Sequence, residues 1–202
     1  MLYRVFPHRP GAGAGEPGGP LYVARDRQGA GRHDNPDHYG ALYASASAES
    51  AVAERIQAFR GQPLTDQDLT RADGTSLALA GFDEALLDER VVVDLDEPRE
   101  LTRRRLRPSG VATGHREVTQ PMALAIHAEG VPGFAWWSAL EASWRNVTLF
   151  AELAVPLLGP AGDPQPLTVD SPEVRAAAEV LGIELQSAPS GRSTPGRATG
   201  RS

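Results

Sequence analysis

The 202-residue chain has no cysteine, which excludes disulfides, thiolate metal sites and cysteine nucleophiles. Its composition, 41% hydrophobic and 23% charged, suits one soluble globular domain at roughly 100–200 residues per domain. A net charge of −6 argues against a general nucleic-acid-binding face, and no apolar run approaches the length needed to span a bilayer.

Residues 2–6 alternate as an opening strand, with Leu2, Arg4 and Phe6 on one face, Tyr3 and Val5 on the other, and Pro7 at its end. The start of the chain lacks the apolar core of a signal peptide, so the expected location is the cytoplasm. Residues 10–20 are rich in glycine and proline without periodicity, which predicts a flexible loop, and Leu21-Tyr22-Val23 reads as a short strand before the turn at 28–32. Asn35-Pro36-Asp37 is a further turn signal, and 41–45 reads as a strand with Leu42 and Ala44 opposite Tyr43. Ser47 is placed to cap the next helix, whose apolar stripe is Val52, Ile56 and Phe59. At 100° per residue Glu54 lies about 160° from that stripe, beside Ser50 and Gln57.

Further on, 77–80 and 90–95 read as strands, the second with a β-branched centre. Asp96 is the expected cap of a short helix with Pro98 in its first turn, and Thr119 the expected cap of a helix over 121–129 that Gly130 stops. Residues 134–138 and 146–150 read as strands, the latter central and buried. Ser171 and Pro172 open a last helix that Gly182 closes, before a short strand at 183–185. Strands and helices mix without strict alternation, which predicts an α+β domain over 1–186; the polar tail at 187–202 is too poor in apolar residues to order itself.

Arg32, Tyr43 and Glu54 stand eleven residues apart in turn, on a turn, a strand and a helix. A cation, an aromatic ring and a carboxylate can thus face one cleft. These residues belong to a longer ordered set: Tyr3-Arg4-Val5, Gly31-Arg32 followed by Asn35-Pro36, Leu42-Tyr43-Ala44, Glu54, and Trp137-Ser138 followed by Asn146-Val147-Thr148-Leu149-Phe150. In order and spacing the set resembles the RES domain, named for an arginine, a glutamate and a serine, although no single piece is specific to it. The resemblance implies one domain with an ADP-ribosyltransferase-like fold, mixed sheets and flanking helices. It also implies an enzyme that cleaves the nicotinamide–ribose bond of NAD, by hydrolysis or phosphorolysis, as the toxin of a pair with an Xre-type antitoxin. NAD is then substrate, inorganic phosphate the candidate co-substrate, and no cofactor or metal is called for. Carried over, Glu54 and Arg32 are catalytic and Arg4, Arg32, Tyr43 and Ser138 bind substrate. The sequence departs from the pattern in a long loop between Arg4 and Arg32, in Val5, and in Trp136 in place of a tyrosine.

The chemistry suits these residue types. An arginine fork donates two parallel hydrogen bonds to phosphate, so Arg4 and Arg32 fit a pyrophosphate. The Tyr43 ring can stack on a cationic nicotinamide. Glycosidic cleavage builds positive charge on the ribose, which a fixed Glu54 carboxylate stabilises. Nicotinamide leaves neutral and needs no general acid, and Ser138, with no histidine placed to activate it, is a positioning group. The competing readings are protein mono-ADP-ribosylation and a non-catalytic interaction module of the same fold; oligomeric state stays open, a homo-oligomer included. His33, Asp34, Asp37 and His38 match no metal spacing and read as surface residues. The run Arg103-Arg104-Arg105-Leu106-Arg107 reads as a solvated helix end, Asn146-Val147-Thr148 as a buried strand that cannot be glycosylated, and Trp136, Trp137 and Trp144 as core or interface.

Overall fold

The computed structural model describes residues 1–84 and 92–187. The tail from 188 and the opening of the strand expected over 90–95 fall outside the described residues. In chain order the elements are β1 (Leu2–Pro7), β2 (Ala41–Ser45), α1 (Ala48–Ile56), β3 (Leu64–Thr65), β4 (Leu77–Asp83), β5 (Val93–Asp94), α2 (Pro98–Arg104), α3 (Pro108–Val111), α4 (Arg116–His127), β6 (Gly133–Trp137), β7 (Arg145–Phe150), α5 (Ala151–Ala154), β8 (Gly159–Pro160), β9 (Gln165–Pro166), α6 (Pro172–Leu181) and β10 (Leu185–Gln186). This is the expected α+β domain. Among the described residues no helix is long and apolar enough to cross a membrane.

The main sheet runs β5-β6-β7-β2-β1-β4-β8, with β9 following β8 along the same edge of β4. β5 and β6 pair parallel, and the other pairs of this sheet are antiparallel. β10 pairs parallel with β3 apart from it. Strand alternation divides the core by face. Leu2 and Phe6 of β1, Leu42 and Ala44 of β2, Ala78, Ala80 and Phe82 of β4, and Val147 and Leu149 of β7 pack together on one face. The opposite face carries two separate helical layers. Helices α1 and α6 cover the β1–β4 half through Val52, Ile56, Val174, Ala177 and Leu181. Helix α4 covers the β5–β6–β7 half through Met122, Ala123 and Ile126, against Phe134, Trp136 and Phe150. The gap between those layers is where the sheet floor stays accessible.

One irregularity deepens the gap. β1 pairs with β4 along its full length, from Leu2↔Phe82 to Pro7↔Leu77, but with β2 only at Tyr3↔Ser45. β1 and β2 therefore splay from that point, and the segment around Pro20 and Tyr22 fills the wedge. Its carbonyls accept from the Arg4 guanidinium at 2.7 and 3.0 Å. Leu21-Tyr22-Val23 is not the expected strand: the Tyr22 carbonyl serves the Arg4 side chain and the Val23 carbonyl a turn, not a ladder. Residues 10–20, expected as a flexible loop, form consecutive turns closed by Arg9 N to Gly18 O, Gly19 N to Glu16 O and Leu21 N to Ala14 O. A Cβ on Gly19 would lie 2.0 Å from the Gly13 oxygen, so the turns pack too closely for any side chain there.

Two expected helix caps are displaced. The helix after β5 is preceded by Glu97, not Asp96, and has no side-chain cap. Thr119 does not begin a helix; α4 starts three residues earlier at Arg116, and Thr119 is buried inside it with its hydroxyl turned to the carbonyl oxygens of Arg32 and His115. Pro121 sits inside α4, where the carbonyl it leaves without an amide partner belongs to exposed Glu117 and faces water. The Ser47 cap is as expected, accepting from Ser50 N at 3.1 Å. Replacing it, Ser47→Ala, should lower stability by about 1 kcal/mol, read as a shift of the urea midpoint at unchanged slope.

Candidate active site

The cleft floor is a cross-strand row. Trp136 on β6 faces Asn146 on β7, Asn146 faces Ser45 on β2, and Ser45 faces Tyr3 on β1. Partners across an antiparallel ladder share a face, so all four side chains stand on the side carrying the helices. Ala51, Glu54, Arg55 and Gln57 of the α1 layer form one wall, and Gly31, Arg32, Gly114 and Arg116 form the other. The enclosed volume is about 510 Å³, which suits a nucleotide-sized ligand.

Arg32 is held by the turn that bears it. Asp34 Oδ2 accepts from Gly29 N at 2.8 Å and Gly31 N at 2.7 Å, while Oδ1 accepts from the Tyr43 hydroxyl at 2.7 Å. The same hydroxyl accepts from His33 N at 2.9 Å. A Cβ on Gly31 would fall 2.5 Å from Asp34 Oδ1, so glycine is required. Helix α4 grips the turn from outside: Thr119 donates to the Arg32 carbonyl, and Gln120 Nε2 donates to the carbonyls of Gly29 and Gly31 at 3.1 and 3.0 Å. The Arg32 guanidinium lies 4.9 Å from the centroid of the Trp136 ring, a cation–π contact. Among the described residues its buried Nη1 has no hydrogen-bond partner. Burial lowers its pKa, against the pull of Glu54 and Tyr43, which favour the charged form.

Beneath it His33 is fully buried, edge-on to Phe134 and Trp136 and stacked on Tyr43. Its Nδ1 lies 2.8 Å from Thr148 Oγ1, which also accepts from Trp136 Nε1 at 3.1 Å. Burial, reinforced by the charge of Arg32, holds its pKa down at about 3, so the ring is neutral at physiological pH. His33 and Asp34 are therefore not the surface residues the polar sequence suggested: the turn folds inward because Asp34 satisfies its amides and Tyr43.

Glu54 faces Arg32 from α1. Its Oε1 accepts from Ser138 Oγ at 2.7 Å and Asn146 Nδ2 at 2.8 Å, and its Oε2 from Gln57 Nε2 at 3.1 Å. Asn146 is fixed in turn, since its Oδ1 accepts from Ser45 Oγ at 2.6 Å and Ser50 Oγ at 3.0 Å. Of the residues singled out in the sequence, Arg4, Arg32, Tyr43 and Glu54 all line the cleft. Ser138 does not; it is 2% exposed and lies behind Glu54, so its contact is with the carboxylate. Arg4 stands at the splay, half-buried, with its pKa lowered to about 10 by desolvation. The Tyr43 hydroxyl is committed to the turn, which leaves its ring for the cleft; burial, with Asp34 beside it, raises its pKa.

Sequence reasoning missed Asn146, Arg55 and Arg116. Asn146 carries a signal, an amide in an otherwise apolar buried strand, while Arg55 and Arg116 look like any exposed helix residues until two separate helices meet over the sheet. Trp136, read as core or interface, is buried in the core and also forms part of the floor under Arg32. The basic run does end a helix, with Arg103, Arg105 and Arg107 exposed, and Arg104 alone is covered, its side chain 9% exposed and paired with Glu100 and Glu129.

The RES domain family matches residues 1–170. A chain of the crystal structure of the M. tuberculosis MbcT–MbcA toxin–antitoxin complex shares the fold, with a TM-score of 0.56 and 18% identity over 90% of this chain and 88% of its own. No curated protein matches the sequence.

Tyr43→Phe should leave the Asp34 carboxylate and the His33 amide each short of a partner, and lower stability by about 1–3 kcal/mol in chemical denaturation. His33 adds a pH dependence. Its folded pKa of about 3 lies below the unfolded value of about 6.5, so between the two the unfolded chain binds the extra proton and stability falls as pH falls. Between pH 7 and 5 the wild type should lose stability more steeply than His33→Gln, by at most about 1.4 kcal/mol per pH unit. The comparison is of slopes, which the lower baseline of the variant does not disturb.

Proposed function

The chain belongs to the RES-domain family, and on that footing we propose that it cleaves the nicotinamide–ribose N-glycosidic bond of NAD, as the toxin of a toxin–antitoxin pair. The observation that carries the reading is the opposition of Arg32 and Glu54 across the cleft. Arg32 presents a buried, unpartnered Nη1, and Glu54 is a carboxylate fixed by three donors. The guanidinium is suited to a pyrophosphate oxygen, with Arg4 beside the same cleft. The Glu54 carboxylate is suited to the positive charge that develops on the ribose as the bond breaks. Because its donors are already in place, little reorganisation accompanies that charge. Tyr43 offers its ring to nicotinamide while its hydroxyl stays in the turn.

In this reading the C1–N bond of the nicotinamide riboside breaks with its electron pair going to the pyridine nitrogen, and nicotinamide leaves neutral. An oxygen of the acceptor forms the new bond to C1. The arginine content of the cleft favours phosphate over water as that acceptor, because Arg55 and Arg116 add two guanidiniums to Arg4 and Arg32. An antitoxin of Xre type is the proposed protein partner; the related fold occurs in a toxin–antitoxin complex.

The purified protein incubated with NAD should release nicotinamide. Mass spectrometry should find ADP-ribose 1″-phosphate when phosphate is present, and ADP-ribose if water is the acceptor. Glu54→Gln should reduce kcat/KM by about 10²–10³-fold, on the scale of losing one preorganised electrostatic group. Ser138→Ala should act through kcat more than KM, since Ser138 touches the carboxylate and not the cleft. Absence of nicotinamide release from wild type, or undiminished release by Glu54→Gln, would overturn the reading.

A further inference from the structure

A second cavity adjoins the cleft. It encloses about 260 Å³ and is lined by Arg4, Arg9, Arg27 and Arg71, with Asp73 as the sole carboxylate among its lining residues. Arg4 lines both cavities and is half-buried between them. The two are also coupled electrostatically, because the charge of Arg71 helps to lower the pKa of Arg55 in the cleft wall.

The arginines of this cavity differ from those that carboxylates neutralise. Arg25, Arg99, Arg103, Arg104, Arg145 and Arg175 are each ion-paired to a carboxylate. Arg9, Arg27 and Arg71 have no side-chain hydrogen bond or ion pair among the described residues. The Asp73 carboxylate already accepts from Thr75 N at 3.0 Å. A protein of net charge −6 thus brings three guanidiniums without a direct partner among the described residues to one small concavity next to its cleft. Like charges held together repel, and an anion that spans them removes the repulsion.

The geometry points to a second anion site, formed by Arg9, Arg27 and Arg71 with Arg4 as its inner wall, that takes a phosphate group. Phosphate is the matching chemistry because the guanidinium fork donates two parallel hydrogen bonds to its oxygens. The volume is below the roughly 300–1,000 Å³ of drug-sized ligand sites, so the occupant is a small phosphate and not a second dinucleotide. It can be free inorganic phosphate or the phosphate of a mononucleotide. Arg4 also holds the carbonyls of Pro20 and Tyr22, so an occupant there would brace the loop that closes the splay between β1 and β2.

The test is calorimetric titration at constant ionic strength, with chloride as the control anion, and it needs no turnover. It is run on the full chain carrying Arg32→Gln, which removes the central cation of the cleft. That protein should still bind inorganic phosphate saturably, and adding Arg27→Gln and Arg71→Gln should weaken binding at least tenfold. Both added sites are exposed, so folding should persist, and matching thermal melts would check it. A parallel titration with adenosine monophosphate identifies the source: binding that depends on Arg27 and Arg71 for the nucleotide alone assigns the site to a mononucleotide. No saturable binding of either ligand in the Arg32→Gln protein, or binding unchanged by the two further substitutions, would overturn the proposal. Neither result bears on NAD cleavage.

Discussion

The Tyr43 hydroxyl donates to Asp34 and accepts the His33 amide, and through those two bonds a loop becomes a fixture of the sheet. Asp34 completes the work by closing the amides of Gly29 and Gly31 on its other oxygen. Hydrogen bonds to a charged group are worth about 1.5–3 kcal/mol each when they are kept from water, so this set can outweigh the preference of a lone arginine for solvent. Arg32 needs that support. A guanidinium with a buried, unpartnered N–H would otherwise swing outward, since burying an unpaired polar group costs energy at every moment it stays. The position of the cation is thus decided by bonds to the backbone and side chains of its turn, none of which reaches its own Nη1.

Glu54 is held by the opposite device. Beside Gln57 one turn away, its Oε1 bonds come from residues distant in sequence, Ser138 just after one strand and Asn146 at the start of the next, with Asn146 oriented by Ser45 and Ser50. These donors form a polar island on the helix-bearing face of the sheet. The island is satisfied throughout, which is the condition under which a buried polar network gives rigidity instead of strain. The two charges face each other across an open cleft and not in a salt bridge. Each is held by its own scaffold, so a ligand can enter between them without breaking an ion pair.

This difference also decides what could be read from the sequence. Strand alternation placed Leu2, Arg4 and Phe6 on one face and predicted β2, β7 and the Ser47 cap, because those signals are local. The departure of Glu54 from the Val52 and Ile56 stripe was equally local, and it correctly aimed the carboxylate away from the α1–α6 core. The failures that shape the site involve partners farther along the chain. Thr119 reads as a cap because its hydroxyl is near a helix start, but the carbonyl it serves belongs to Arg32, 87 residues earlier. Leu21-Tyr22-Val23 reads as a strand until Arg4 claims the carbonyl of Tyr22. His33 and Asp34 sit in a polar stretch, and nothing local announces that Tyr43 draws them inward. Ser138 was identified through the family pattern, which could not tell a residue touching the ligand from one touching the carboxylate.

Charge segregation is the level at which these local devices add up. The surface carboxylates outnumber the arginines, yet Arg32, Arg55 and Arg116 line the cleft with Glu54 as the only acidic residue among its lining side chains. Low-dielectric walls on a negative protein focus the positive potential of such a cleft and narrow the class of ligand drawn to it. Burial lowers the pKa of Arg32, so its charge is maintained at a cost in the unliganded protein. An anion entering the cleft reduces that cost directly, so part of its binding energy is stored in the fold before it arrives. The fold must therefore be stable enough elsewhere to hold the arginines in place. The three apolar clusters supply that stability, and the continuous pairing of β1 with β4 leaves β1 free to splay from β2 and open the floor.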